Sequence, residues 1–264
     1  MSAAGTSAPL LELRDVRVAF GGLTALDGVS LAVPRGRVVG VIGPNGAGKT
    51  TLFNVVCGFV RPDSGEVLVR GEPLRGHRPH HLAALGVART LQGLGLFGQL
   101  TVAENVMAGA VRAPRAGFLP TLLALPRADR RERDLRAKAL AVLDRLGLAD
   151  AADLPPGRLP HGDQKRVVLA RALIAEPALL LLDEPAAGLS TAEISELTGL
   201  LATLRAADQL SVMLVEHHMD FVMGLCDDVA VLDFGRLIAH GPPAAVRDDP
   251  QVVAAYLGEA AADG

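Results

Sequence analysis

Gly43-Pro44-Asn45-Gly46-Ala47-Gly48-Lys49-Thr50 decides how this chain folds. Glycine, four residues, glycine, lysine and a hydroxyl residue make the phosphate-loop pattern. The flanks agree with it. Val38-Val39-Gly40-Val41-Ile42 is a short apolar run rich in β-branched residues, the pattern of a buried parallel strand. Thr51-Leu52-Phe53-Asn54-Val55-Val56 opens a helical pattern. A strand, a glycine loop and a helix N-terminus form an anion cradle. The glycines let backbone N–H groups turn inward, and the helix dipole adds partial positive charge. In this pattern Lys49 reaches the terminal phosphates of a nucleotide and the Thr50 hydroxyl ligates Mg²⁺.

Working outward, 264 residues, half of them hydrophobic, suffice for one large α/β domain with a sizeable core. A net charge of −3 gives no electrostatic case for nucleic acid. Tryptophan is absent and tyrosine occurs once, so base-stacking platforms are not expected either. Cys57 and Cys226 lie far apart, with no metal or redox spacing, and read as buried thiols of a reducing compartment. Residues 1–10 lack the basic and apolar regions of a signal peptide. No apolar run approaches the roughly 20 residues that cross a bilayer. The chain by itself reads as cytosolic, with any membrane location supplied by a partner.

Leu11 to Val18 alternates apolar and polar, as a half-exposed strand does, and Phe20-Gly21-Gly22 closes it. Val29 to Val33 and Glu66 to Arg70 read as further strands of an early antiparallel sheet. The histidine-rich Arg75 to His81 reads as a solvated loop. Gly86 to Leu91 is a strand with Gln92 at its end. Thr101 and Glu104 have capping-box spacing, so a helix starts at Val102. Ala113 to Pro126 is an apolar but proline-broken loop or short helix. Arg127 to Leu146 is a long helix with Leu135, Ala139, Val142, Leu143 and Leu146 as its apolar stripe, ended by Gly147. A helix over Asp163 to Ala175 follows a proline-rich connector. Leu179 to Leu182 is a buried strand ending at Asp183-Glu184. Ser190 and Glu193 form a second capping box, for a helix reaching about Ala207. Ser211 to Val215 is a core strand ending at Glu216-His217. A hairpin turns at Phe234-Gly235, and Gln251 to Leu257 is a closing helix.

The fold class expected is therefore α/β. A P-loop (RecA-like) core with an antiparallel β part spans 9–92 and 160–240, an inserted α-helical subdomain spans 93–159, and 241–264 is a C-terminal tail. An Asp at the end of a core strand can hold Mg²⁺, often through water, which assigns Asp183 to the metal. The adjacent Glu184 can act as general base on an attacking water. Phosphoryl transfer asks for charge neutralisation and a placed nucleophile, and Lys49, Mg²⁺ and Glu184 supply them. His217, at a neighbouring strand end, can hydrogen-bond a γ-phosphate or the water.

These residues resemble an ABC-transporter ATP-binding subunit over nearly the whole chain. Gly43 to Thr50 matches Walker A, Leu179 to Asp183 Walker B, Glu184 the catalytic glutamate, and His217 the switch histidine. Ala187 to Ser190 sits at the D-loop position. Phe20 matches the aromatic that stacks on adenine, and Gln92 the Q-loop glutamine that meets Mg²⁺. The resemblance assigns nucleotide contacts to Phe20, Gly43, Asn45, Gly46, Ala47, Gly48, Lys49, Thr50, Thr51 and Gln92. It assigns the metal to Thr50, Gln92 and Asp183, and catalysis to Glu184, His217 and Lys49. The cofactors it implies are ATP and Mg²⁺. The signature motif departs from the family's Leu-Ser-Gly-Gly-Gln: this chain reads Leu159-Pro160-His161-Gly162-Asp163. In the family this motif contacts ATP held by the opposite subunit, a role carried here by Leu159 and Gly162. Pro160 has neither the serine hydroxyl nor an N–H. Ser190 also stands where the D-loop usually has Asp. These changes bear on the partner's site and suggest a heterodimer with unequal sites.

A narrower resemblance joins Phe20 to Leu26, Gly86 to Gln92, Pro185 to Leu189, Val215 to Met219 and Ala255 to Ala260 to the branched-chain amino-acid importer ATPases. The longer stretch around 112–130 is similar to the larger of their two paired ATPases. The resemblance implies ATP-driven uptake of branched-chain or other hydrophobic amino acids. The implied partners are a second ATPase subunit in a homo- or heterodimer, integral permease subunits and, indirectly, an extracytoplasmic solute-binding protein. The implied location is peripheral, on the cytoplasmic face of the inner membrane. ATPases for urea uptake or lipopolysaccharide export share much of the pattern, and a non-transport nucleotide-binding regulatory module is the other alternative.

Overall fold

Leu179-Leu180-Leu181-Leu182 shows how the core is built. In the computed structural model, which describes residues 8–74, 76, 78–90, 93–110 and 126–262, β7 (Leu179–Asp183) is buried along its whole length. Leu179 and Leu181 enter one hydrophobic cluster, and Leu180 and Leu182 enter another. Successive side chains of a strand point to opposite faces, so an unbroken leucine run belongs in a sheet covered on both sides.

That sheet has six strands in the order β10-β9-β3-β8-β7-β6. β3 is Val38–Ile42, β6 Val87–Arg89, β8 Ser211–Val215, β9 Asp228–Asp233 and β10 Arg236–Gly241. β3, β6, β7, β8 and β9 run parallel, and β10 pairs antiparallel at the edge. The β9–β10 turn holds Phe234 at φ +42° and Gly235 at φ +77°, the left-handed pair of a two-residue type I′ hairpin. On one face lie α1 (Lys49–Val56) and a four-stranded antiparallel sheet, β2-β1-β4-β5. Its strands are β1 (Leu11–Phe20), β2 (Leu23–Val33), β4 (Ser64–Val69) and β5 (Glu72–Pro73).

The other face packs against α2 (Val102–Met107), α3 (Pro126–Arg145), α4 (His161–Leu173), α5 (Thr191–Asp208), α6 (Met219–Leu225) and α7 (Pro243–Arg247). The last helix, α8, runs Pro250–Ala262. The stripe on α3 is buried at Ala139, Leu143 and Leu146, with Leu135 and Val142 packed alongside. Gly147 ends it at φ +70°, a backbone value that disfavours other residues. Both capping boxes form: Glu104 N–H donates to Thr101 Oγ1 at 3.2 Å and Glu193 N–H to Ser190 Oγ at 3.4 Å. Among the described residues, no helix is long and apolar enough to cross a membrane.

Several local expectations change. The histidine-rich loop over 75–81 gives way at Pro79–Leu85 to a 3₁₀ helix capped by Gly86; a proline at its first position and buried Leu82 favour the turn. β2 starts at Leu23 rather than Val29, because pairing with β1 extends past the polar residues that hide its pattern. β6 is only three residues long. α4 starts at His161, with Pro160 as its N-cap. α6 and α7 had no legible signal, being shorter than the window a helical period needs. Gln92 and the stretch 111–125, including most of the expected loop over 113–126, lie outside the described residues.

Leu180→Ala, at a position with no exposed surface, should cost about 2–5 kcal/mol in urea unfolding. Ser190→Ala, which removes only a helix cap, should cost about 1 kcal/mol. Equal losses would contradict this account of the core.

Candidate functional site

The loop between β3 and α1 is held by its neighbours. Gly43 has φ +150°, and a Cβ there would lie 2.1 Å from Leu232 O on β9. Gly48 has φ +102°, with Ala25 O of β2 only 2.5 Å from where its Cβ would sit. Glycine at both positions is therefore imposed by sterics as well as by dihedral angle. Gly46 meets nothing within 4 Å, so its backbone is open to an approaching group. Gly235 N–H donates to Ala47 O at 3.0 Å, and Asp27 N–H donates to Gly235 O at 2.8 Å. The hairpin turn and β2 thus brace the loop from outside. Lys49 arches over it, its Nζ donating to Gly43 O at 2.6 Å and Pro44 O at 2.7 Å. Phe20 is half exposed and paired with Leu23 at the tip of the β1–β2 hairpin, on the strand pair that reaches the loop through Ala25.

Parallel pairing sets the loop beside the acids. Val41 is in register with Val215, and Val215 with Asp183. Three strand ends therefore stop in one row, and adjacent strands lie about 4.8 Å apart. Gly43 follows the first end, Glu216-His217 the second and Glu184 the third. The structure brings together the phosphate loop, Asp183, Glu184 and His217 along one sheet edge.

Asp183 is almost fully buried. Burial pushes its carboxyl above the ordinary range, and the Arg89 guanidinium pulls it back down. Arg89 Nη2 lies 3.3 Å from Asp183 Oδ2. The guanidinium sits 4.9 Å from the ring centroids of both Phe53 and Phe59, within reach of cation–π attraction. The pair holds a charged acid in an otherwise apolar place. Together with the exposed Thr50 hydroxyl, Asp183 offers an all-oxygen donor set, which suits Mg²⁺.

Glu184 takes φ +48°, an uncommon value for a residue with a side chain. Its N–H donates to Val215 O at 3.0 Å. Its carbonyl accepts from Lys165 Nζ at 3.3 Å. Burial lowers the Lys165 pKa, while the Glu216 and Glu184 carboxylates oppose that shift. Lys165, His161, Asp183, Glu184 and Gly188 line a cleft of about 300 Å³. A larger cleft, about 570 Å³, lies away from the acids between the end of α1 and β4–β5. His217 is exposed, and its ring lies 4.5 Å from that of His218. Carboxylate, ammonium and imidazole groups thus line one edge.

Leu159 and Gly162 do not join this row. They sit at the start of α4 against the chain's own 188–193 stretch. A Cβ on Gly162 would meet Glu193 Oε1 at 2.5 Å, and one on Gly188 would meet His161 Nε2 at 3.2 Å. Gln164 Nε2 donates to Leu159 O at 2.8 Å, while Pro160 supplies no side-chain cap. The sequence reading gave Arg89, Lys165 and Glu216 no role. Arg89 and Lys165 contact Asp183 and Glu184 from elements remote in sequence, and Glu216, next to His217, reaches Ala186 across the sheet edge.

A family model described as ABC transporter matches residues 26–187. A second, described as branched-chain amino acid ATP-binding cassette transporter, matches residues 236–262. The chain is 41% identical over 254 residues to the high-affinity branched-chain amino acid transport ATP-binding protein BraF of Pseudomonas aeruginosa, covering 96% of this chain and 100% of that one. It is 40% identical, with the same coverage, to the corresponding protein LivG of Escherichia coli. Among solved structures it superposes on the ADP conformation of MJ1267, an ATP-binding cassette of an ABC transporter. The TM-score is 0.83 at 32% identity, covering 95% of this chain and 99% of that one.

Arg89→Leu should destabilise the fold by about 3 kcal/mol or more, since it leaves Asp183 buried without its cation. Urea unfolding reads this, and a loss below about 1 kcal/mol would mean that the pair carries no such burden.

Proposed function

This chain belongs to the family of ABC-transporter ATP-binding subunits, and from that premise we propose that it energises import of branched-chain or other hydrophobic amino acids. The family is one of ATPases. The supporting observation for chemistry is the row of strand ends, Val41–Val215–Asp183, which puts a phosphate cradle, an acid pair and a histidine within one substrate's length. Support for the solute is the near full-length identity to BraF and LivG, and the match of residues 236–262 to a branched-chain amino acid cassette model.

In this reading ATP lies on 43–50, with backbone N–H groups of Gly46, Ala47 and Gly48 around its phosphates and Asn45 and Thr51 beside them. Phe20 stacks on the adenine. Lys49 exchanges its two carbonyl partners for phosphate oxygens, a stronger charge-assisted bond. Thr50 and Asp183 would hold Mg²⁺, which would neutralise phosphate charge, and the resemblance assigns Gln92 the same ion. Glu184 takes a proton from water as it attacks the γ-phosphorus, and His217 orients the water or a γ-oxygen. The bond from that phosphorus to the β-phosphate oxygen breaks, so that ADP leaves from inorganic phosphate. The Leu159–Gly162 turn faces the nucleotide of a second ATPase subunit. Pro160 removes the hydroxyl there, so pairing with a different ATPase chain that keeps it makes the two composite sites unequal. Permease subunits hold the pair peripherally at the inner face of the membrane, and a solute-binding protein acts through them. The 9–92 and 160–240 segments act as the nucleotide core and 93–159 as the helical part that passes movement to the permease.

Glu184→Gln should keep ATP affinity within about threefold while lowering turnover about a hundredfold or more. Lys49→Ala should weaken ATP binding by about tenfold or more. Normal steady-state hydrolysis in the first variant, or unchanged affinity in the second, removes that residue from its role.

Detergent-solubilised membranes should retain the chain with integral subunits and a second, different ATPase chain. Recovery free of any membrane subunit counts against transport, and full activity as a homodimer counts against unequal sites.

A further inference from the structure

Glu216 has no exposed surface, although it is a carboxylate beside an open catalytic edge. Both of its oxygens accept from backbone N–H groups. Oε1 accepts from Ala186 N–H at 2.7 Å. Oε2 accepts from His217 N–H at 2.9 Å and His218 N–H at 3.2 Å. Its own N–H donates to Val41 O at 3.2 Å, which anchors it to the strand leading into the phosphate loop. A buried acid is costly unless its bonds are made, and here they are made to two different turns.

The turn after β7 needs this tie. Glu184 is held at φ +48°, and Pro185 has no N–H to give. Glu184 N–H pairs with Val215 O at 3.0 Å and Ala187 N–H closes back on Glu184 O at 3.2 Å, so Ala186 N–H supplies the turn's bond to Glu216. Without Glu216 the Ala186 N–H would be buried and unsatisfied, and the turn that follows the strained Glu184 would lose one of its restraints. On the other side, the same carboxylate fixes the backbone on which His217 stands.

We propose that Glu216 is a positioning residue for hydrolysis, its carboxylate locking the turn that presents Glu184 to the loop that presents His217. This rests on the roles assigned above to Glu184 and His217. A carboxylate is the one side chain for the task. One oxygen faces one donor and the other faces two, so an amide must point its NH₂ at an N–H whichever way it flips.

Glu216→Gln therefore tests it with little change of volume, beside Glu184→Gln, in the full-length chain. Glu216→Gln should lower kcat about a hundredfold while ATP affinity, read by calorimetry, stays within about threefold. Amide exchange at Ala186 and His217 should quicken, with β7 and β8 protection unchanged. Glu216→Asp keeps the charge but is one methylene too short to span both turns, and should give the same split. A kcat within about twofold of wild type for both Glu216 variants overturns the proposal. So does a joint fall of kcat, affinity and protection across β7 and β8, which a merely structural role would produce. If Glu184→Gln is inactive and Glu216→Gln is not, only this inference fails. If Glu184→Gln turns over normally, the catalytic reading fails, and unchanged exchange at Ala186 and His217 would still overturn the strap.

Discussion

Parallel hydrogen bonding between β3, β8 and β7 is the constraint on which the rest depends. The ladder places Val41, Val215 and Asp183 in register, and everything at the site hangs from the residues that follow them. A slip of one residue along β7 would turn Asp183 to the opposite face and bury Leu182 on the wrong side. The two-sided apolar cover, with alternate residues entering separate clusters, makes such a slip expensive. Core packing thus sets the geometry of the acids before any polar contact is counted.

The polar contacts then refine what the ladder sets. They are few and mostly buried. Arg89, stacked on Phe53 and Phe59, reaches Asp183 from β6. Lys165 reaches the Glu184 carbonyl from α4. Glu216 joins the turns after β7 and β8. Each connects a different element to the same edge, so motion of α4 is felt at Glu184, and motion of the β6 strand end at Asp183, through a bond. Burial also silences nearby chemistry: Cys57 and Cys226 are both buried, and burial pushes each thiol up to about 12, far from a reactive thiolate at neutral pH.

The elements with strong local codes were legible. β3 and β8 end where their apolar runs end. The capping boxes at Thr101 and Ser190 mark helix starts within one residue, because the cap is a local hydrogen bond between residues three apart. Elements lacking a local code were not. The extension of β2 to Leu23 depends on β1, α6 and α7 are too short to show a period, and the 3₁₀ turn at Pro79 hid among polar residues.

By itself the sequence determined the phosphate loop, the acid pair at the end of a leucine strand and the alternation of strands with helices, since these are properties of residues near one another in the chain. The tertiary structure alone decided which strand ends share a row, that Arg89 pairs with Asp183, and that Glu216 faces inward to two turns. Those are pairings between residues far apart in the chain, and no periodicity or spacing encodes a partner that only the closed sheet brings within hydrogen-bond reach.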